Sequence, residues 1–123
     1  SITAEPLAPS PMLAIGIGAV GSIIMYFGTN WLNSMRLDDV VGAIPVHLFA
    51  GVWGTLAVTL SNSDTTLITQ LVGILSVTIF TFVFSYIAFF LLKKFIGLRI
   101  SDQAEKLGTD VAEIGVRAYA IRD

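Results

Sequence analysis

Charge is scarce in this sequence. Asp, Glu, Lys and Arg make up 13% of 123 residues, about half the roughly 25% of soluble proteins. Net charge is only −2, so no basic excess points to a nucleic-acid partner. There is no cysteine, which leaves redox compartment without a signal. The first ten residues hold no Lys or Arg and carry Glu5, Pro6 and Pro9; a secretory leader would start with a basic region. Histidine occurs once, at His47. A single ligand with no second His, Cys or carboxylate on its face is not a coordination set, so no metal is expected. Ser, Thr and Asp fall mostly in turns and give His47 no nucleophilic partner. The expectation is therefore a protein that is not an enzyme and takes no cofactor.

What is present is apolar. Hydrophobic residues are 54%, and mean hydropathy is +0.81. No charge occurs between Glu5 and Arg36, between Asp39 and Asp64, or between Asp64 and Lys93. Each gap exceeds the roughly 20 residues that cross a ~30 Å hydrocarbon core as a helix. A soluble fold hiding three such helices would have no polar surface left. The fold class expected is all-α: a polytopic membrane protein fragment with three transmembrane helices, at about 12–32, 40–61 and 67–92, and a short helical cytoplasmic tail. Residues 1–96 would form the membrane part and 97–123 the tail.

Three prolines in "SITAEPLAPSP" forbid a continuous helix there. The first segment then opens with Ala14, Gly16, Gly18, Ala19, Gly21 and Ser22. Small residues let helix backbones approach closely in lipid, so this half should pack on other helices. Tyr26, Phe27 and Trp31 suit an interface. Pro45 sits early in the second segment. A helix beginning near Pro45 tolerates it in the first turn; one beginning near Asp39 would be kinked there. "SNSD", Ser61 to Asp64, reads as a tight turn. Arg36 marks the first turn, and Lys93, Lys94 and Arg99 follow the third segment. The positive-inside rule puts both in the cytoplasm, so the C-terminus is expected inside a multi-pass protein of the cell membrane. In the tail, Ser101 should cap a helix through Leu107 that Gly108 stops. Asp110 with Glu113 three residues on reads as a second N-cap. The chain opens on Ser1 rather than Met, as an excised piece would, although simple Met removal looks the same.

His47 lies in "DDVVGAIPVHLFAGVWGTLAV", Asp38 to Val58. At 100° per residue, His47, Gly51, Gly54 and Val58 share a stripe, with Ala43 and Ala50 beside it. Phe49, Val52, Leu56 and Leu60 fall on the other side. The histidine thus faces a smooth seam, either a helix–helix contact or the wall of a pore. An ionisable residue at mid-span is a functional candidate. Phe49 and Trp53 sit away from it, as packing residues would.

That stretch closely resembles the penultimate transmembrane helix of the ammonium transporter family (Amt/Mep/Rh). "GLRISDQAEKLGTDVAEIGVRAY" resembles the family's cytoplasmic tail. "SITAEPLAPSP" and the glycine-rich segment after it look like the preceding helix and its lead-in. The resemblance implies a protein of eleven crossings with its N-terminus outside, of which this chain would be the last three helices and tail. It implies transport of ammonium or ammonia through a hydrophobic pore in each subunit of a homotrimer. Two histidines line that pore; His47 matches one, and the other lies on an earlier helix. Asp38 and Asp39 match the acidic start of the pore helix, and Gly51 and Gly54 its small-residue face. The remaining helices of the same protein and a cytoplasmic PII-type regulator are the implied partners. Where the family tail often reads Glu-His-Gly, this chain has Glu113-Ile114-Gly115. Two alternatives stand beside transport. One is a membrane sensor domain, with "AIRD" as a cut before a signalling domain. The other is a structural fragment that conducts nothing itself, with His47 as interhelical glue.

Overall fold

The computed structural model describes residues 1–5 and 9–118. Pro6 of the lead-in and the closing "AIRD", on which the sensor alternative leaned, lie outside the described residues. All regular structure among the described residues is helical. The chain divides into two compact units, Ser1–Thr81 and Phe82–Asp123.

In the first unit, helix α1 runs Pro11–Ser34. The Ser10 hydroxyl accepts from the Leu13 N–H at 3.3 Å, and Pro11 follows where a missing N–H costs nothing. Its buried residues are Ile17, Gly21, Gly28 and Leu32, which recur at helical spacing on one face. The helix closes by a Schellman turn. Leu37 N–H reaches the Leu32 carbonyl at 3.1 Å and Arg36 N–H the Asn33 carbonyl at 3.0 Å. Arg36 takes the left-handed position, φ 57°, where glycine is usual.

Helix α2 runs Ile44–Leu60. It starts late, with Pro45 in its first turn, which answers the question Pro45 posed. Asp39 begins the turn before it: its carbonyl accepts from Gly42 N–H at 3.0 Å, and its carboxylate accepts from Ala43 N–H and Ile44 N–H, each at 2.8 Å. Residues Ile44–Phe49 wind as a wide π turn, Ala50–Ala57 as α-helix and Val58–Leu60 as a 3-10 turn. The Ala50 N–H accordingly bonds back to the Pro45 carbonyl, five residues away.

The two helices run antiparallel, because Gly28 late in α1 meets Pro45 and Phe49 early in α2, whereas Gly21 meets Trp53. A Cβ at Gly28 would stand 2.5 Å from Phe49 Cδ2, so glycine is what admits that ring. The Trp53 indole N–H donates to the Ile17 carbonyl at 3.0 Å. The lead-in lies over the same pair, in a 3-10 turn at Ile2–Ala4. Backbone of Ser1 rests on Gly54 so closely that a side chain at 54 would strike it. The Asn62 amide ties the loop after α2 to Glu5 at 2.9 Å. "SNSD" forms an Asx turn, with the Asp64 N–H on Asn62 Oδ1 at 2.9 Å.

Helix α3 runs Leu67–Phe95. Thr66 and Thr69 cap it reciprocally: the Thr69 N–H donates to Thr66 Oγ1 at 3.2 Å, and the Thr66 N–H to Thr69 Oγ1 at 3.0 Å. It buries no residue, and its mean hydropathy is 2.3. Two helices, α1 and α3, are long and apolar enough to cross a membrane; Ile44–Leu60 is apolar but shorter.

The second unit holds the end of α3, a short helix α4 at Asp102–Leu107 and a π turn at Asp110–Ile114. Ser101 caps α4 through the Ala104 N–H at 3.2 Å, and Gly108 ends it at φ 93°, as the sequence predicts. The second cap differs. Thr109 is the N-cap residue and Asp110 already belongs to the turn. The Asp110 carboxylate instead reaches forward to the Ala118 N–H at 2.7 Å. That bond, first among the causes, holds the exposed carboxyl below its ordinary pKa of 3.8.

Candidate functional site

The site follows from how α2 divides its faces. Pro45, Ala50, Gly54, Ala57 and Val58 are buried. The opposite face carries His47, Leu48, Gly51, Val52 and Thr55. These positions follow the i, i+4, i+8 rhythm of one helical stripe. They open on a cleft of about 280 Å³ whose other wall is Gly73, Ile74, Val77 and Thr78 of α3. Those four residues also share one face of their helix.

The wall is mostly carbon. His47 is exposed to the cleft, and its ring forms no hydrogen bond within the described residues. A neutral imidazole carries one N–H donor and one acceptor nitrogen, and both are available here. The Thr55 hydroxyl donates to the Gly51 carbonyl at 3.0 Å, so its proton is committed. From α2, therefore, the cleft offers a solute one group that can both give and take a hydrogen bond.

The structure brings His47 and Gly51 together and separates Gly54 from them. Gly51 has open space where a Cβ would project, whereas Gly54 faces Ser1. Val58 goes with Gly54, beside Ser1 and Ile17, and Val52 lies beside His47 rather than opposite. The cause is the wide turn. It takes more residues to go round than a 3.6-residue turn, so a uniform wheel over-rotates whatever follows. Asp39 caps the helix that carries His47, and Asp38 is exposed beside it. Phe49 packs between Gly28 and the Trp31 ring, 5.9 Å between centroids, and Trp53 packs on α1, away from the cleft. Sequence reasoning missed Thr55 and the α3 wall. Thr55 lies two turns beyond His47 and could have been found by extending the stripe; the α3 residues carry no local signal.

Comparison with known proteins gives this cleft its context. The model of the Ammonium Transporter Family matches residues 1–119. The ammonium transporter Amt2 of Archaeoglobus fulgidus is 34% identical over 139 residues, covering 97% of this chain and 30% of the relative. A putative ammonium transporter of Synechocystis sp. is 37% identical over 116 residues, covering 93% and 26%. One of Methanothermobacter thermautotrophicus is 33% identical over 115 residues, covering 80% and 28%. The chain thus spans under a third of the length of these curated relatives. Its long apolar helices and these matches mark it as a membrane protein, and it belongs to the ammonium transporter family.

Proposed function

We propose that this chain is the C-terminal part of an ammonium transporter and that His47 stands on the path of its substrate. In this reading α1, α2 and α3 all cross the bilayer within residues 1–96, and residues 97–123 form a tail in the cytoplasm. At 17 residues, α2 rises about 26 Å, a little less than a ~30 Å hydrocarbon core. The basic residues Arg36, Lys93, Lys94 and Arg99 favour the cytoplasmic side for the tail. The complete protein would be a homotrimer with one path per subunit, and a PII-type regulator would act at its cytoplasmic face.

One observation carries the reading: an unbonded imidazole opens on an apolar cleft in a chain of this family. Ammonium enters hydrocarbon only at the cost of its hydration. An imidazole can accept a hydrogen bond from the cation or take its proton, so that neutral ammonia crosses the dry stretch. Imidazole is the weaker base in water, so stripping water from the cation must come first. A second imidazole, from the part of the protein beyond this chain, would take the proton onward. Asp39 serves by fixing the turn that holds His47, and Gly51 by leaving room beside it.

The test is His47→Ala in the complete transporter, with ammonium flux measured in proteoliposomes and assembly followed by size-exclusion chromatography. Loss of flux with assembly intact is expected. Undiminished flux would remove His47 from the path.

A further inference from the structure

The buried residues of α2 keep an α-helical rhythm from Val58 back through Ala57, Gly54 and Ala50, and then break it. The next buried residue is Pro45, five positions before Ala50; Val46 and His47, which a step of four or three would bury, are exposed. At about 100° per residue, α winding would set His47 about 60° round from Ala50, between Gly54 and Val58, with Pro45 about 140° round the other way. The structure holds the reverse. Pro45 is fully buried, its carbonyl takes the Ala50 N–H, and His47 stands outside the seam between α1 and α2. Contacts within this chain decide that side. Pro45 and Phe49 both lie against Gly28, with carbon atoms 3.5 Å and 2.5 Å from the place a Cβ there would take. Trp31 backs the Phe49 ring, 5.9 Å between centroids.

We propose that the wide turn presents His47: Pro45 and Phe49, seated on Gly28, are positioning residues that keep the imidazole out of the α1–α2 seam and on the side of the substrate path. This rests on His47 lying on the path. The chemistry agrees with the geometry. Proline has no N–H to leave unpaired, so its ring enters the seam without penalty. An imidazole carries a donor and an acceptor, and burying them without partners costs free energy. Inside the seam its nitrogens would also be out of a solute's reach. One more residue in the turn exchanges the two rings.

That residue can be removed on either side of His47. Deleting Val46 or Leu48 shortens the step from Pro45 to Ala50 from five residues to four, which an α turn closes with Pro45 still on Gly28. The place three residues before Ala50 then lies in the seam. Deleting Val46 gives that place to His47. Deleting Leu48 gives it to Val46 and leaves His47 about 160° round from Ala50. Each variant loses one aliphatic residue from the same turn; they differ in where they send the ring.

The experiment measures ammonium flux in proteoliposomes of the complete transporter and follows assembly by size-exclusion chromatography. Flux should be about 100-fold lower without Val46 than without Leu48, the effect of misplacing a working group by ~1 Å. Equal flux in the two assembled variants, or the opposite order, overturns the proposal. If either deletion fails to assemble, Pro45→Ala and Pro45→Val decide. Alanine empties the seat and should lower flux by a comparable factor; valine refills it and should restore most of that loss. Undiminished flux in Pro45→Ala, or no recovery in Pro45→Val, refutes the positioning. His47→Ala keeps the two readings apart. Inactive His47→Ala with equal flux in the deletion variants leaves the path standing and sinks only the positioning. Active His47→Ala removes the path itself.

Discussion

Replacing Gly28 by alanine probes the contact that seats α2 on α1. The new Cβ would stand 2.5 Å from Phe49 Cδ2, 2.9 Å from Cε2 and 3.5 Å from Pro45 Cβ. Carbon atoms rest about 3.5–4.0 Å apart, so the Phe49 ring must withdraw by about 1 Å. It cannot do so freely. Its other side meets Trp31, 5.9 Å away between centroids, and its backbone ends the π turn that carries His47. Overpacking of this kind costs about 1–3 kcal/mol, and the better helix propensity of alanine returns up to ~1 kcal/mol. Gly28→Ala should therefore destabilise the complete transporter by up to about 2 kcal/mol on these magnitudes. The sharper measurement is a double-mutant cycle of unfolding midpoints in detergent. With Phe49→Ala already present the obstruction is gone, and Gly28→Ala should become neutral or stabilising. The coupling between the two sites should be at least ~1 kcal/mol, within the range for residues in contact. Equal destabilisation in both backgrounds would refute the seating of Phe49 on Gly28 and with it the antiparallel register derived above.

Two further outcomes follow from the turns. Asp39→Ala leaves the Ala43 and Ile44 N–H groups, each bonded at 2.8 Å, without their acceptor. It should cost about 1–2 kcal/mol and speed hydrogen exchange at those two amides, with Asp39→Asn intermediate; unchanged exchange would contradict the cap. In the tail, the folded pKa of Asp110 lies below its ordinary 3.8 because of the Ala118 N–H. A depressed carboxyl stabilises the folded form above the unfolded pKa and loses that contribution as pH falls through the folded one. The Ala118 amide resonance should thus stay in its bonded position from neutral pH down past 3.8 and move only in stronger acid. Asp110→Asn should abolish that titration, and movement of the resonance above the ordinary value would show that the bond does not form.

The long helices were legible because charge marks their ends. The run expected over 12–32 is Pro11–Ser34 and that over 67–92 is Leu67–Phe95, and Ser101 and Gly108 bound α4 as their chemistry dictates. The segment expected over 40–61 starts at Ile44 because Asp39 takes the first N–H groups and Pro45 fits only a first turn. What stayed hidden is of two kinds. One is winding: nothing local to "IPVHLF" announces a π turn, so the wheel placed Gly54 with His47 and Val52 opposite. The other is contact at long sequence separation. Ser1 on Gly54, Asn62 on Glu5 and the α3 wall of the cleft cannot be read from any window of neighbours. Asp110 belongs to the second kind on a shorter scale. Its sequence satisfies a capping box, but Ala118 presents an N–H that the box pattern does not count.

The wide turn bears on whether His47 is glue or path. Each end of that turn is held by something other than the histidine. Asp39 fixes its entry, Pro45 is fully buried beneath it, and Phe49 is seated between Gly28 and Trp31 at its exit. Among the described residues, the polar link between α1 and α2 comes from Trp53, whose indole donates to Ile17, and a lost hydrogen bond of that kind costs about 0.5–1.5 kcal/mol. The imidazole adds nothing to this list, since its ring has no partner in the described residues and faces the cleft. Removing it therefore opens no gap between α1 and α2, whereas Trp53→Phe takes away a bond that joins them. The two variants should part company: Trp53→Phe loosens the helix pair, and His47→Ala leaves its unfolding midpoint in place while changing what passes alongside. If His47→Ala were the more destabilising of the two, the histidine would be a structural tie and the cleft only a gap between helices.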